Sequence, residues 1–289
     1  MRGRMIVTRF APSPSGLLHL GHAFAALTAE AAGDRFLVRI EDIDAARARP
    51  EFEHAILEDL RWLGLAFDEP VLRQSNRTGA YRVALVALGT RGLLYPCFCT
   101  RKEIADEIAR APDAPHGPDG FLYPGTCRML SAPERTERIE SGENYALRLD
   151  ASAAAELVGL LLFEERGSGP SGENGTMRVD PLLLGDVVLA RKDAPVSYHL
   201  AVVVDDAYQG VTLVTRGNDL FPATHVQRLL QAALSLPAPA YAHHRLILDQ
   251  SGRKFSKRDR AATLRSLREQ GIPADEVRAQ LGFGPVQSA

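Results

Sequence analysis

The sequence predicts an α/β protein, a doubly wound parallel sheet interrupted by an inserted subdomain. Three observations predict it. Short apolar strand patterns alternate with amphipathic helix patterns over the first 95 residues, which favours parallel strands joined by helices. The alternation breaks between about 95 and 130, where proline and glycine gather with all three cysteines. It resumes at "VSYHLAVVVDD", from residue 196.

Taken in order, "MIVTRF" reads as a short buried strand. "HLGHAFAALTAEAAG" follows with helical periodicity, and Gly33 is a plausible stop. "RFLVRIEDID" is a second strand. "PEFEHAILEDLRWLGL" is an amphipathic helix opened by Pro50, and "SNRTGAYRVALVALGTRG" another, with Ser75 as its candidate cap. "YALRLD" and "GDVVLARKD" read as strands of a more antiparallel region, with "RGSGPSGENG" between them as a mobile connection. The strand "VTLVTRG" and helix "PATHVQRLLQAALSLP" restore the parallel pattern. The strand "HHRLILD", the loop "KFSKR" and short helices complete it.

The chain has 289 residues, enough for one large or two modest domains. With 34 Lys and Arg against 36 Asp and Glu, any nucleic-acid surface must be a local patch rather than a general basic field. No apolar run reaches the length of about 18 residues that a membrane span needs, and the N-terminus shows no signal-peptide core. The expectation is a cytoplasmic protein without a membrane partner. Three cysteines are too few for a disulfide framework.

His19 and His22 sit at the start of the first predicted helix, just beyond the first strand. That is where an α/β sheet offers free backbone N–H groups and the positive end of a helix dipole to an anion. Two imidazoles there can donate to phosphate oxygens as charge builds during displacement at phosphorus. Gly21, without a side chain, lets a flat ligand such as a purine approach the helix. Far along the chain, Lys254 and Lys257 lie in a small-residue loop after a predicted strand. Lysine there is a compact charge able to close onto transferring phosphates. Either feature alone has an ordinary reading, a polar helix start or a solvated basic turn.

Together and in this order, the two stretches resemble the HIGH and KMSKS signatures of class I aminoacyl-tRNA synthetases. "RFAPSPSGLLHLGH", "FLVRIEDID", "YHLAVVVDDAYQGVTLVTRGNDL" and "THVQRLLQAALSLP" are similar to the glutamyl branch, over most of the chain except about 100 to 175. The resemblance implies catalysis by His19, His22, Lys254 and Lys257, with ATP (as its magnesium complex) held by His19, Gly21, His22 and Lys257. It also implies a glutamate site from Arg9, Phe10, Ala11, Pro12, Ser13, Glu41, Tyr198 and Arg216. The chemistry is sensible by itself. A substrate with two carboxylates and one ammonium calls for two cationic forks and one acid. Asp42 and Asp44 read as structural or helix-opening residues. Phe255, Arg258 and Asn218 depart from the commonest family letters, and Asn218 has no evident role.

Cys97-x-Cys99 and Cys127 suggest a zinc site, which takes four ligands in a tetrahedron. The fourth is open from the residues alone: His116 is the commoner ligand type, Tyr123 the unusual one. The spacing C-x-C, then Y-x3-C, resembles a small branch of glutamyl-like enzymes whose zinc uses a tyrosine oxygen, which implies Tyr123 and one structural zinc. The alternative is thiols kept as small core residues after loss of the metal.

The resemblance divides the chain into a Rossmann-type first half (1–95), an inserted zinc and acceptor-binding-like subdomain (96–195), the second half of the catalytic domain (196–236), and a KMSKS-like loop with a short helical stem-contact region (237–289). Only 31 residues follow Arg258, so no anticodon-binding domain is expected. The branch this pattern resembles activates glutamate without tRNA. It then transfers glutamate to the queuosine base at the first anticodon position of tRNA(Asp), so the implied partners are glutamate, ATP and that anticodon loop. Other readings are a minimal enzyme charging the tRNA 3′ end, a carboxylate–amine ligase or nucleotidyltransferase, and a decayed binding paralogue.

Overall fold

The computed structural model describes residues 5–110, 116–118, 120–192, 195–247 and 263–286. The first half is built from β1 (Val7–Phe10), α1 (Leu20–Ala31), β2 (Arg35–Ile40), α2 (Pro50–Trp62) and β3 (Leu72–Arg73). β1 is buried at all four positions, as a strand covered on both faces must be. It pairs in parallel with β2, Thr8 opposite Phe36, and β2 in turn with β3. Pro50 opens α2, where its missing N–H is not needed. α3 (Thr78–Thr90) begins later than the sequence predicts. Ser75 is not its cap. It lies in a 3-10 turn, and its N–H and hydroxyl donate to Asp42 at 2.8 and 2.6 Å.

Next come β4 (Leu94–Cys97), α4 (Arg101–Arg110), β5 (His116–Gly117), β6 (Gly120–Phe121), α5 (Ala132–Glu140), β7 (Ala146–Leu149), α6 (Ala151–Val158), β8 (Leu162–Glu165), β9 (Gly175–Arg178) and β10 (Val188–Arg191). β7 lies antiparallel between β4 and β10, in line with the antiparallel reading of "YALRLD" and "GDVVLARKD". α7 (Tyr198–Gln209), β11 (Leu213–Gly217), α8 (Phe221–Ala233), β12 (Ala240–His244), α9 (Leu264–Glu269) and α10 (Ala274–Gln280) follow. β12 sits a few residues earlier than predicted. Its register is set by parallel pairing with β11, from Leu213 opposite Ala240 to Gly217 opposite His244.

The two halves meet where the Thr212 N–H donates to the Val7 carbonyl at 2.9 Å and the Val7 N–H to the Thr212 hydroxyl at 2.8 Å. Strand order across the molecule is therefore β3-β2-β1-β11-β12-β8-β9. β8 joins β12 in parallel at Tyr241 opposite Glu165, and β9 pairs antiparallel with β8. The chain runs outward in opposite directions from β1 and β11, and ligands of such sheets bind at that switch point, beyond the carboxyl ends of the strands. One core packs α1, α2 and the first sheet half together with Leu264, Val277 and Leu281 of the C-terminal segment. Another joins α3, α6, α7 and α8. No described helix is long and apolar enough to cross a membrane.

Candidate active site

Arg9 and Arg216 stand near the carboxyl ends of β1 and β11, on either side of the switch point, and are 5% and 6% exposed. The Arg9 Nε donates to Asp206 Oδ1 at 3.1 Å and its Nη1 to the Thr215 carbonyl at 3.1 Å. Asp206 also receives Arg39 Nη1 at 2.8 Å, while Arg39 Nη2 reaches Glu41 Oε1 at 3.4 Å. Two cations and two carboxylates thus share one buried cluster. Burial works against an ionised Asp206, but Arg9 and Arg39 outweigh it and hold this carboxyl below the usual range. At Glu41 burial prevails over Arg39 and Arg9, and its carboxyl is pushed up to about 6. Sequence reasoning missed Arg39 and Asp206. Their signal was a charge inside an apolar strand and an acid closing an apolar helical run.

A cleft of 520 Å³ opens beside this cluster, lined among others by Ser13, Glu41, Asp44, Val196 and Tyr198. Three of the predicted glutamate residues, Ser13, Glu41 and Tyr198, therefore line the same cleft. Arg9 and Arg216 are not part of its lining. Phe10 and Pro12 are buried and Ala11 half-buried. The Pro12 carbonyl accepts the Glu41 N–H at 3.0 Å, which locks the first loop to the second. Asp42 holds Ser75 and Asp44 accepts from Arg47 at 2.6 Å, in keeping with structural roles.

Arg216 differs from Arg9. Its Nε donates to His243 Nε2 at 3.0 Å, Nη1 to Gln227 Oε1 at 2.7 Å and Nη2 to the Thr224 hydroxyl at 2.6 Å. Among the described residues all three acceptors are neutral.

His19 caps α1. Its Nδ1 accepts the Gly21 N–H at 3.1 Å, and His22 Nδ1 accepts the His19 N–H at 3.2 Å. A neutral ring that accepts at Nδ1 carries its proton on Nε2, so both imidazoles are set as Nε2–H donors. The rings lie 3.8 Å apart. A Cβ on Gly21 would meet the His19 ring at 3.1 to 3.2 Å, so the glycine also makes room for that tilted ring pair. Thr263 forms a β-bridge with His19, and the Leu264 N–H donates to the Leu18 carbonyl at 2.9 Å. Lys254 and Lys257 lie outside the described residues, in the stretch between Ile247 and Thr263.

The thiols of Cys97, Cys99 and Cys127 lie within 4.8 Å of one another. The Tyr123 hydroxyl is 3.5 Å from Cys99 Sγ and accepts the Cys127 N–H at 2.9 Å. Three sulfurs and an oxygen this close could hold a tetrahedral metal ion, whose bonds to sulfur are about 2.3 Å. Burial pushes the Cys99 thiol up to about 12. At Cys127 burial raises the value too, but the Tyr123 hydroxyl and the Phe98 N–H bring it below the ordinary thiol range. The His116 side chain lies outside the described residues.

The family profile for tRNA synthetases class I (E and Q), catalytic domain, matches residues 5–283. A glutamyl-Q tRNA(Asp) synthetase of Rhodobacter capsulatus is 50% identical over 286 residues, covering 96% of this chain and 100% of that protein. A glutamate–tRNA ligase of Aquifex aeolicus is 39% identical, over 92% of this chain and 54% of the relative. A solved glutamate tRNA ligase of Elizabethkingia meningosepticum, in complex with its amino acid, superposes with a TM-score of 0.71 at 31% identity. It covers 89% of this chain and 52% of that one. The chain thus spans about half the length of these two glutamate ligases. With a parallel sheet split at β1 and β11, and a profile match from the first strand to the last helix, the chain belongs to the class I tRNA synthetases (E and Q).

Proposed function

We propose that this protein activates glutamate with ATP, without tRNA, and passes the glutamyl group to the queuosine base at the first anticodon position of tRNA(Asp). The observation that carries the choice of acceptor is the 50% identity to the Rhodobacter glutamyl-Q tRNA(Asp) synthetase along that relative's whole length. The choice of amino acid is supported by a half-buried acid that lines the cleft and two buried arginines on the strands of the switch point, a set matched to an ammonium and two carboxylates.

In the first step a glutamate carboxylate oxygen attacks the α-phosphorus of ATP, the bond to the bridging oxygen breaks, and pyrophosphate leaves. His19 and His22 donate from Nε2 to the phosphates, and Lys254 and Lys257 neutralise charge on the leaving group. The protein needs no covalent intermediate, since catalysis here is positioning and charge stabilisation. In the second step a hydroxyl of the queuosine cyclopentenediol attacks the acyl carbon, its proton passes to the departing phosphate, the acyl–oxygen bond to that phosphate breaks, and AMP leaves. Cys97, Cys99, Cys127 and Tyr123 would hold a structural zinc, which clamps the segment around β4 and supplies no reacting group.

The test is transfer of labelled glutamate to tRNA that contains queuosine and to tRNA from cells unable to make it. Label on the first alone is expected. Equal label on both would mean charging of the 3′ end, and exchange of ATP with pyrophosphate driven by another amino acid would overturn the glutamate pocket.

A further inference from the structure

Among the described residues, the hydrogen bonds of the buried Arg216 cation all go to neutral groups, and the arrangement behind it explains how. An arginine always donates, so His243 Nε2 must present a lone pair to Arg216 Nε. The ring is then neutral with its proton on Nδ1, and that N–H donates to Glu165 Oε2 at 2.6 Å. The other Glu165 oxygen accepts the backbone N–H groups of His243 and Gly167, both at 2.9 Å. Glu165 and His243 are 1% and 2% exposed, and the Tyr241 ring lies parallel to the imidazole at 7°. The carboxylate therefore faces three donors and has one orientation.

We propose that Glu165 is a positioning residue for Arg216, acting through His243. It fixes the imidazole tautomer, and the tautomer fixes the edge of the guanidinium. The negative charge stands one ring away, so Arg216 is held without being neutralised by a direct ion pair. Three of its five N–H groups are engaged among the described residues, which leaves two and a positive charge for a substrate carboxylate. Arg9 is the contrast: it pairs directly with Asp206 and shares it with Arg39. Burial acts in the same direction as the geometry, holding His243 below the ordinary histidine range and the ring neutral.

This inference rests on the reading of Arg216 as a glutamate contact, and two measurements separate the two claims. The first is the nitrogen-15 spectrum of imidazole-labelled wild-type protein, with the His243 signal assigned by its loss in His243→Asn. A proton on Nδ1 and none on Nε2 is expected; the opposite tautomer or a doubly protonated ring would overturn the relay, whatever the substrate. The second is ATP–pyrophosphate exchange by Glu165→Gln. Its amide can offer an N–H to Nδ1, which forces the proton to Nε2 against Arg216. The glutamate KM is expected to rise about tenfold or more, with the ATP KM and kcat within about threefold. An unchanged glutamate KM, or equal losses for both substrates, would overturn the proposal. Should the wild type use an amino acid other than glutamate, the functional reading falls, while the tautomer measurement still decides the relay.

Discussion

At the scale of single residues, Glu41 gives the most direct prediction. It is the proposed partner of the glutamate ammonium and must be ionised for that role. Burial has raised its carboxyl to about 6, with Arg39 and Arg9 pulling the other way. The kcat/KM for glutamate should therefore fall about tenfold per pH unit below pH 6, while the kcat/KM for ATP stays level; exchange assays between pH 5 and 8 test this. Glu41→Gln should raise the glutamate KM about tenfold or more and abolish that inflection.

At the scale of elements, the structure depends on close backbone approaches that the sequence pattern only hints at. β8 reaches β12 through one paired position, and the chain then bends at Gly167. A Cβ on Gly167 would lie 2.2 Å from the His243 carbonyl oxygen and 2.6 Å from its nitrogen. Gly167→Ala must separate the two strands, and thermal unfolding should show a loss of about 3 kcal/mol or more. β4 is held differently, since Cys97 ends it and brings a thiol to Cys99 and Cys127. Cys97→Ser should lower zinc content and Tm together, the latter by about 5 °C or more; elemental analysis of the wild type without zinc would remove the structural-metal proposal.

At the scale of the molecule, the C-terminal helices pack on the first half of the chain. Arg278 donates to the Leu63 carbonyl at 2.8 Å, and Arg268 approaches Asp59 on α2 at 3.4 Å. The stretch with Lys254 and Lys257 thus leaves from β12 in one half and rejoins at His19 in the other. Lys257→Ala is expected to cripple exchange while leaving Tm unchanged, because its proposed role is charge on the phosphates. Asp59, fully buried on α2, is raised by burial to about 6 against the pull of Arg268. Its folded value lies above the unfolded one, so its ionised form opposes folding above pH 6 and not below about 4. Asp59→Asn should therefore raise Tm at pH 8 and have little effect at pH 4, as paired melting curves would show.

By itself the sequence determined the α/β class, through the alternation of strand and helix patterns, and it supplied the residues proposed for the site, through "HLGH", "RIED" and "TRGND". Those signals are local, because period and motif spacing are properties of neighbours in the chain. Only the tertiary structure decided which charge answers which. Arg9 meets an acid 197 positions away, and Glu165 meets a histidine 78 positions away. The same distance in sequence hid the true start of β12 and the partner of Ser75, because register and long-range hydrogen bonds set them. An arginine reads alike in sequence whether an acid pairs with it directly, as Asp206 does with Arg9, or a neutral ring holds it, as His243 does Arg216. The difference is geometric: Arg9 meets Asp206 across the junction of β1 with the second half, whereas Arg216 meets His243 where β11 pairs with β12.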